Sequence, residues 1–195
     1  MRIVQLLFGV WVGICFLACG EKSDSFTREE RERIGHLEEE GIMPLFLVTN
    51  RVDSLFLRLQ AKEYVETETF RVLRSRMLAT VRDSLNEGVG IAAPQVGISR
   101  QLVAVQRLDK TGEPFEFYVN PEIVYFSQDT VLGQEGCLSI PGRMGSVYRS
   151  KEIVVRYRDE LSFEWRQDTV REFTARIFQH EIDHLNGILY TDYLP

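Results

Sequence analysis

The stretch that decides the fold is FQHEIDHLNG, from Phe178 to Gly187. It contains His180 and His184 with Glu181 between them, and in a helix this spacing puts both imidazoles on one face, one turn apart. Two such imidazoles can bind one divalent cation, and the neighbouring carboxylate can reach a water on that cation. The same HExxH spacing also occurs on solvated helix surfaces that bind no metal. A third ligand elsewhere in the chain would distinguish a metal site from such a surface.

The third ligand has to come from upstream of this helix. In the longer zincin pattern it is a downstream histidine, but the corresponding position here holds Tyr190. His36, the one other histidine, lies in a segment dominated by charge. Of the three cysteines, Cys15 and Cys19 lie near the N-terminus, which leaves Cys137 as the one thiol of the domain. Cys137 is therefore the candidate, with a small buried hydrophobic residue as the alternative.

The N-terminus has the features of an export signal. Arg2 precedes an uncharged run from Ile3 to Ala18, which predicts a signal peptide over residues 1–18. The run ends in FLACG, where a small residue before Cys19 resembles a bacterial lipoprotein cleavage site. We expect Cys19 to be lipidated and the protein to be exported and membrane-anchored. An ordinary signal peptide or an uncleaved anchor stays open, and the protein is cytoplasmic if the leader is not used.

The remaining chain divides into a tether and one domain. Residues 19–44 are dominated by charge and predict a solvated tether or helix, and apolar residues become denser beyond Gly41. Residues 45–195 then form the domain, and a chain with 44% hydrophobic and 27% charged residues can build one soluble core. The net charge of −6, without a basic cluster between aromatic residues, excludes nucleic-acid binding as the main function. We expect a monomer.

Apolar periodicity predicts an α+β fold, with mostly antiparallel sheet packed around a central C-terminal helix that carries HExxH. Helical spacing extends from Thr67 to Asn86, with Leu85 on the apolar face, and again from about Val170 to Leu185. Asn50 to Leu57 is predicted as a turn. Short β-branched and aromatic runs predict strands at 101–107, 115–119, 122–126, 153–157 and 163–166, and Cys137 falls in an extended segment between strands.

A glycine-rich loop, GVGIAAPQVG, extends from Gly88 to Gly97. Its glycines indicate a backbone that turns tightly or lets another group approach closely. A phosphate-binding loop is excluded, because no Lys-Ser/Thr pair follows and Pro94 stands where a helix would have to run. Gln95 is the one polar side chain placed to donate from this loop.

Three segments in this order, GVGIAAPQVG, EGCLS and QHEIDH, resemble the signature motifs of the peptide deformylase family. The likeness includes Leu57-Arg58 and Asp192-Tyr193-Leu194, and it covers roughly Leu45 to Pro195. Ile91 departs conservatively from the usual leucine of the first motif.

The resemblance implies a metal site. Cys137, His180 and His184 would hold one divalent ion and leave its fourth position to water. By resemblance this ion is Fe²⁺, with Zn²⁺ or Ni²⁺ possible; a thiolate and two imidazoles suit all three. Glu135 is expected to support a ligand histidine, and Asp183 to face solvent or an arginine.

The resemblance also implies the reaction, which is removal of the formyl group from N-formylmethionyl peptides or proteins as formate. Glu181 would be the general base, and the side-chain amide of Gln95 and the backbone N–H of Leu138 would donate to the developing oxyanion.

The peptide would lie as an added strand along Val89 and Gly90. Phe173 and Ile177 would line an apolar methionine pocket, or belong to the core.

Two alternatives remain open. One is another metal-dependent amidase or peptidase on the same scaffold, and the other is a surface lipoprotein that binds metal without turnover. The export signal keeps the physiological substrate open as well, because members of the family normally act in the cytosol or in organelles.

Overall fold

The computed structural model describes residues 26–35, 41–65 and 70–195. The predicted signal peptide over residues 1–18, the predicted lipidation site Cys19 and His36 lie outside the described residues. Within those three ranges, no helix has both the length and the apolar character that a membrane span needs.

Within the described residues, two antiparallel sheets and four helices form the domain. The helices are α1 (Arg28–Ile34), α2 (Arg51–Phe56), α3 (Phe70–Arg82) and α4 (Glu172–Leu185), with 3-10 turns at Ala93–Val96 and Tyr190–Tyr193. The strands are β1 (Gly90–Ala92), β2 (Leu102–Gln106), β3 (Phe115–Phe126), β4 (Thr130–Cys137), β5 (Ile140–Ser150), β6 (Glu152–Asp159) and β7 (Trp165–Arg171). One sheet has the order β1-β2-β3-β6-β7, and β4 and β5 form a hairpin. The predicted α+β class is confirmed.

α4 is the central helix. Its apolar side chains, Ile177, Phe178, Ile182 and Leu185, are buried against residues of the large sheet. Full burial of one such side chain contributes about 1.5–3 kcal/mol, so this packing fixes the position of the helix. The helix begins at Glu172, because the preceding residues belong to β7.

α3 packs in a second cluster of buried apolar residues, distinct from the cluster that contains the apolar side chains of α4. Leu73, Met77 and Val81 are fully buried there, as their helical spacing predicts. The helix ends at Arg82, earlier than predicted, and Leu85 is 92% exposed instead of facing the core.

β3 is one strand where the sequence predicts two. Asn120 has a positive φ of 49°, and the pairing with β6 shifts between Val119 and Glu122. The strand therefore continues through a bulge, which accommodates the missing N–H of Pro121. The Asn120 side chain stabilises the bulge, because it bonds to the backbone N–H and C=O of Tyr64 at 2.6 and 2.8 Å.

Other boundaries also differ. β7 is Trp165–Arg171 instead of residues 163–166, and the segment around Cys137 belongs to the long β4–β5 hairpin. Residues 51–56 form α2 instead of a turn, because the Asn50 side chain accepts bonds from the N–H groups of Val52 and Asp53 and caps the helix.

The N-terminal segment, predicted as a solvated tether or helix, contains the helix α1 with an exposed face, and it also packs against the domain at several residues. Phe26, Ile34 and Met43 are buried in the core cluster that contains α3. Glu30 lies 3.0 Å from the guanidinium of Arg100, with both side chains almost fully buried. The charges of this segment are therefore partly paired inside the domain, and the folded unit includes α1.

Candidate active site

Three candidate metal-binding side chains converge at the end of β4. The candidate ligand atoms of Cys137, His180 and His184 all lie within 4.8 Å of one another. Sγ of Cys137 is 3.2 Å from Nε2 of His184, and the two imidazole centroids are 5.0 Å apart on successive turns of α4. A thiolate with two imidazoles binds first-row transition metals, and three protein ligands leave a position open.

The orientation of His180 fits a metal ligand. Its Nδ1 donates to Oε2 of Glu135 at 3.0 Å, which leaves Nε2 directed toward the other two ligands. Burial disfavours the charged carboxylate, but the hydrogen bonds from His180 and Arg149 outweigh it and lower the pKa of Glu135 to about 2. Glu135 therefore stays ionised and holds the imidazole in one tautomer. The residues present fit a divalent metal ion.

Glu181 is buried beside this cluster and lies against the glycine-rich loop. Its Oε2 has no hydrogen-bond partner within the part of the chain that the structure describes. Burial raises the pKa of the carboxyl group to about 7. A buried carboxylate with such a pKa is suited to accept and return a proton near neutral pH.

The glycine loop brings an amide next to Cys137. Gln95 lies in the 3-10 turn after β1, and its Oε1 accepts from the backbone N–H of Ala92 at 2.8 Å. This bond turns Nε2 toward Ser139 Oγ at 3.4 Å and Cys137 Sγ at 3.5 Å. Leu138 directly follows Cys137, in the connection between β4 and β5. Both expected oxyanion donors thus lie beside the cluster.

A cleft of about 580 Å³ opens onto these groups. β1 is the edge strand of the large sheet, and Val89 and Gly90 line the cleft beside it. Phe173 and Ile177 of α4 also line it, and the two differ in burial: Phe173 is 52% exposed, whereas Ile177 is 4% exposed and belongs to the core as well. The expected substrate-binding residues therefore share one cleft with Cys137 and His180, whereas His184 is buried and does not line it.

Two arginines hold Glu135, and neither was predicted from the sequence. Arg149 donates to both of its oxygens at 2.9 and 3.0 Å, and Arg176 donates to Oε1 at 2.7 Å. Arg149 also donates to Asp183 at 2.6 Å, so Asp183 faces an arginine. No local spacing pointed to these arginines, because their contacts with Glu135 span 14 and 41 residues.

Tyr190 packs against the imidazole of His180. Its ring stacks on the imidazole with centroids 6.0 Å apart, and its hydroxyl donates to the backbone oxygen of Arg143 at 2.9 Å. At the position that holds a histidine in the longer zincin pattern, Tyr190 thus packs against a candidate metal ligand.

Comparison with known proteins agrees with this geometry. The polypeptide deformylase family matches residues 47–195. The peptide deformylase of Synechocystis sp. is 40% identical over 138 residues, which cover 70% of this chain and 72% of that protein. The peptide deformylase of Pseudothermotoga lettingae is 41% identical over 109 residues, which cover 56% of this chain and 60% of that protein.

Solved structures give the same result. The class I type b peptide deformylase from Acinetobacter baumannii with bound Met-Ala-Ser is 34% identical, with a TM-score of 0.69 over 80% of this chain and 100% of that chain. A peptide deformylase from Synechococcus elongatus in complex with actinonin is 33% identical, with a TM-score of 0.70 over 84% of this chain and 85% of that chain. The fold, the cluster and these likenesses agree: the chain belongs to the polypeptide deformylase family.

Proposed function

We propose that this protein hydrolyses the formyl amide of N-formylmethionyl peptides and releases formate. One observation carries the proposal: the buried Glu181 carboxylate, with one oxygen unpartnered in the described chain, lies beside Cys137, His180 and His184 at the cleft. A general base next to an open metal site is the arrangement that amide hydrolysis by water requires.

Cys137, His180 and His184 would hold a divalent metal ion, which would supply Lewis acidity and lower the pKa of a water molecule. Glu181 would take a proton from the attacking water as the water oxygen bonds to the formyl carbon. Glu181 then returns the proton to the amide nitrogen as the carbon–nitrogen bond breaks. The products are formate and a peptide with a free amino terminus.

The side chains around the carbonyl stabilise the charge that develops on its oxygen. Nε2 of Gln95 is already turned toward this side by the bond between Oε1 and Ala92. The N–H of Leu138 is the second donor, and removal of one such donor typically lowers the rate by about 10²–10³-fold.

The peptide binds along β1, whose free edge offers backbone groups for an added strand. Phe173 and Ile177 contact the methionine side chain in the apolar part of the cleft.

Formate release tests the activity. The metal-loaded protein is expected to release formate from formyl-Met-Ala, and Glu181→Ala is expected to keep its metal while losing about 10²–10⁴-fold in rate. Cys137→Ala is the complementary variant, which loses the metal. If amine is released only from unformylated peptides, the protein is the alternative amidase or peptidase. Metal binding without any turnover identifies the non-catalytic lipoprotein.

We propose Fe²⁺ as the native metal. The donor set supports a divalent transition metal, and the family resemblance favours iron, although raw affinity favours zinc over iron. Metal analysis after anaerobic purification from the native host is the test. Activity is then compared after loading with Fe²⁺, Zn²⁺ or Ni²⁺, and zinc in the native protein contradicts the proposal.

We also propose that the protein is exported and anchored to the membrane through lipid on Cys19. The support is the sequence of residues 1–20. Fractionation and mass spectrometry of the N-terminus test it, with Cys19→Ser as the control that stays unlipidated. A cytoplasmic protein that begins at Met1 contradicts it.

We propose further that the enzyme is a monomer, because one chain supplies the cleft and all three metal-binding side chains. Light scattering on the purified domain tests this.

A further inference from the structure

β5 bulges at the mouth of the cleft. Cys137 of β4 pairs with Ile140 of β5, whereas Glu135 pairs with Gly145. Pro141–Met144 therefore lie opposite a single residue of β4 and project from the hairpin, which is the geometry of an extended bulge. All the residues of this β5 bulge are exposed and line the cleft.

Contacts on both sides hold the β5 bulge against the metal-binding side chains. The backbone oxygen of Arg143 accepts from Tyr190, whose ring stacks on His180. Sδ of Met144 lies 2.8 Å from the point where a Cβ on Gly136 would be, so Met144 covers this backbone. The side chain of Arg143 thus projects from a backbone that is tied to a metal ligand.

Two of the charged side chains that line the cleft form no ion pair with another described residue, and Arg143 is one of them. Glu135 and Arg176 pair with each other at 2.7 Å, and Glu181 is buried in its proposed catalytic position. Arg143 and Glu87 are exposed, and neither has an ion-pair partner within residues 26–35, 41–65 and 70–195.

We propose that Arg143 binds a carboxylate that the substrate carries beyond its formylmethionine, and so makes the enzyme selective for acidic formyl peptides. The inference rests on the proposed deformylase function and names a substrate class for it. An extended peptide rises about 3.3 Å per residue, so a carboxylate at its third residue lies roughly 7 Å or more beyond the first residue, toward the mouth. The C-terminus of a short peptide and an acidic side chain both supply this group.

Three substrates separate the two sources: formyl-Met-Ala-Ser, its C-terminal amide, and the amide of formyl-Met-Ala-Asp. At low ionic strength the wild type is expected to hydrolyse the carboxylate-bearing peptides with kcat/KM about two- to fivefold above the neutral amide, through a lower KM. High salt is expected to remove the difference, because the pair is exposed. A preference for only one of the two acidic peptides identifies the source of the carboxylate.

Arg143→Gln is expected to bring the three kcat/KM values together and to leave kcat unchanged. Arg71→Gln is the matched control, because Arg71 is exposed on α3 outside the cleft lining and its loss changes the net charge equally. A wild type that hydrolyses all three peptides equally, or an undiminished preference in Arg143→Gln, overturns the proposal.

A binding measurement separates this inference from the proposed function. Calorimetry with the peptide Met-Ala-Ser and its amide needs no turnover, and the wild type is expected to bind the acid about two- to fivefold more tightly. Equal affinities overturn the role of Arg143. Absence of formate release from every formyl peptide contradicts the deformylase function instead. In that case the difference in affinity between the acid and the amide still tests whether Arg143 binds a carboxylate.

Discussion

Nδ1 of His180 lies 3.0 Å from Oε2 of Glu135, and the same carboxylate accepts bonds from Arg149 and Arg176. The imidazole that we propose as a metal ligand is therefore oriented by an anion whose own charge is compensated inside the protein. A buried carboxylate needs such partners, since burial alone would drive it to protonate.

Glu135→Gln is expected to weaken metal binding by about 10- to 100-fold, because the neutral amide supports the His180 tautomer less strongly. Competition with a chromophoric chelator measures the dissociation constant directly, without use of activity. Glu164→Gln is the control, because Glu164 is an exposed residue outside the cleft lining. An unchanged affinity in Glu135→Gln would show that His180 does not depend on this contact.

Gly90→Ala is expected to displace Glu181, the proposed general base. A Cβ at this position would lie 2.5 Å from Oε1 of Glu181 and 2.8 Å from Cγ2 of Ile177, so β1 or α4 has to move. Overpacking of this kind costs about 1–3 kcal/mol of unfolding free energy. A displaced base lowers the rate of formate release by about 10²-fold.

The double variant Gly90→Ala, Glu181→Ala tests whether the Glu181 carboxylate causes the loss of stability. Removal of the carboxylate removes the shortest contact and leaves the contact with Ile177, so Gly90→Ala should cost less stability in that background, as measured by urea unfolding. Equal costs in both backgrounds would mean that the carboxylate is not the obstacle.

The Arg58–Asp192 pair predicts a loss of stability in acid. Hydrogen bonds from Arg58, with a weaker opposing effect of burial, lower the pKa of Asp192 below its ordinary 3.8. The folded pKa is thus below the unfolded pKa, so the pair stabilises the fold above the unfolded value and loses this contribution as pH falls through the folded value. Asp192→Asn should cost about 0.5–1 kcal/mol near neutral pH, because the pair is partly exposed.

Urea unfolding across the acidic range measures this effect. The difference between the wild type and Asp192→Asn should shrink as pH falls below 3.8. Arg58→Gln should show a similar loss, and the double variant should lose less than the sum of the two. A difference that does not change with pH would contradict an origin in ionisation.

Glu30→Ala tests whether α1 belongs to the folded domain. Glu30 accepts bonds from the Arg100 guanidinium at 3.0 Å and from the N–H of Ser99 at 3.1 Å. Removal of one partner of a buried ion pair typically costs about 3–5 kcal/mol, measured as unfolding free energy.

Glu32→Ala is the matched control in the same helix. Glu32 pairs with Arg28 at an exposed position, where the expected cost is at most about 0.5 kcal/mol. Similar small losses of stability in Glu30→Ala and Glu32→Ala would support the interpretation of this segment as a solvated tether.

The sequence predicted the elements whose apolar residues follow one period. α4 and α3 were predicted because their apolar residues recur at helical spacing, and the spacing of His180 and His184 placed both imidazoles on one face. The family resemblance placed Cys137 and Gln95 beside them. These expectations depend on local spacing or on whole motifs, and the structure brings the same residues together.

Contacts over long sequence distances could not be predicted in this way. The β4–β5 hairpin is mostly exposed and lacks an apolar alternation, so periodicity does not indicate it. Glu30 and Arg100 are 70 residues apart, and the density of charge around Glu30 pointed to solvent because nothing local revealed its partner. The arginines that hold Glu135 were missed for the same reason.

The burial of Phe26 against the ring of Tyr64 limits the distance between a lipid on Cys19 and the folded domain. Seven residue steps lead from Cys19 to Phe26, and a fully extended chain covers at most about 3.3–3.6 Å per residue. An acyl group on Cys19 would thus keep the catalytic domain within roughly 25 Å of the bilayer. Such an enzyme would process formylated peptides in the layer next to the lipid headgroups, and the distance of a substrate from the membrane would decide whether it is deformylated.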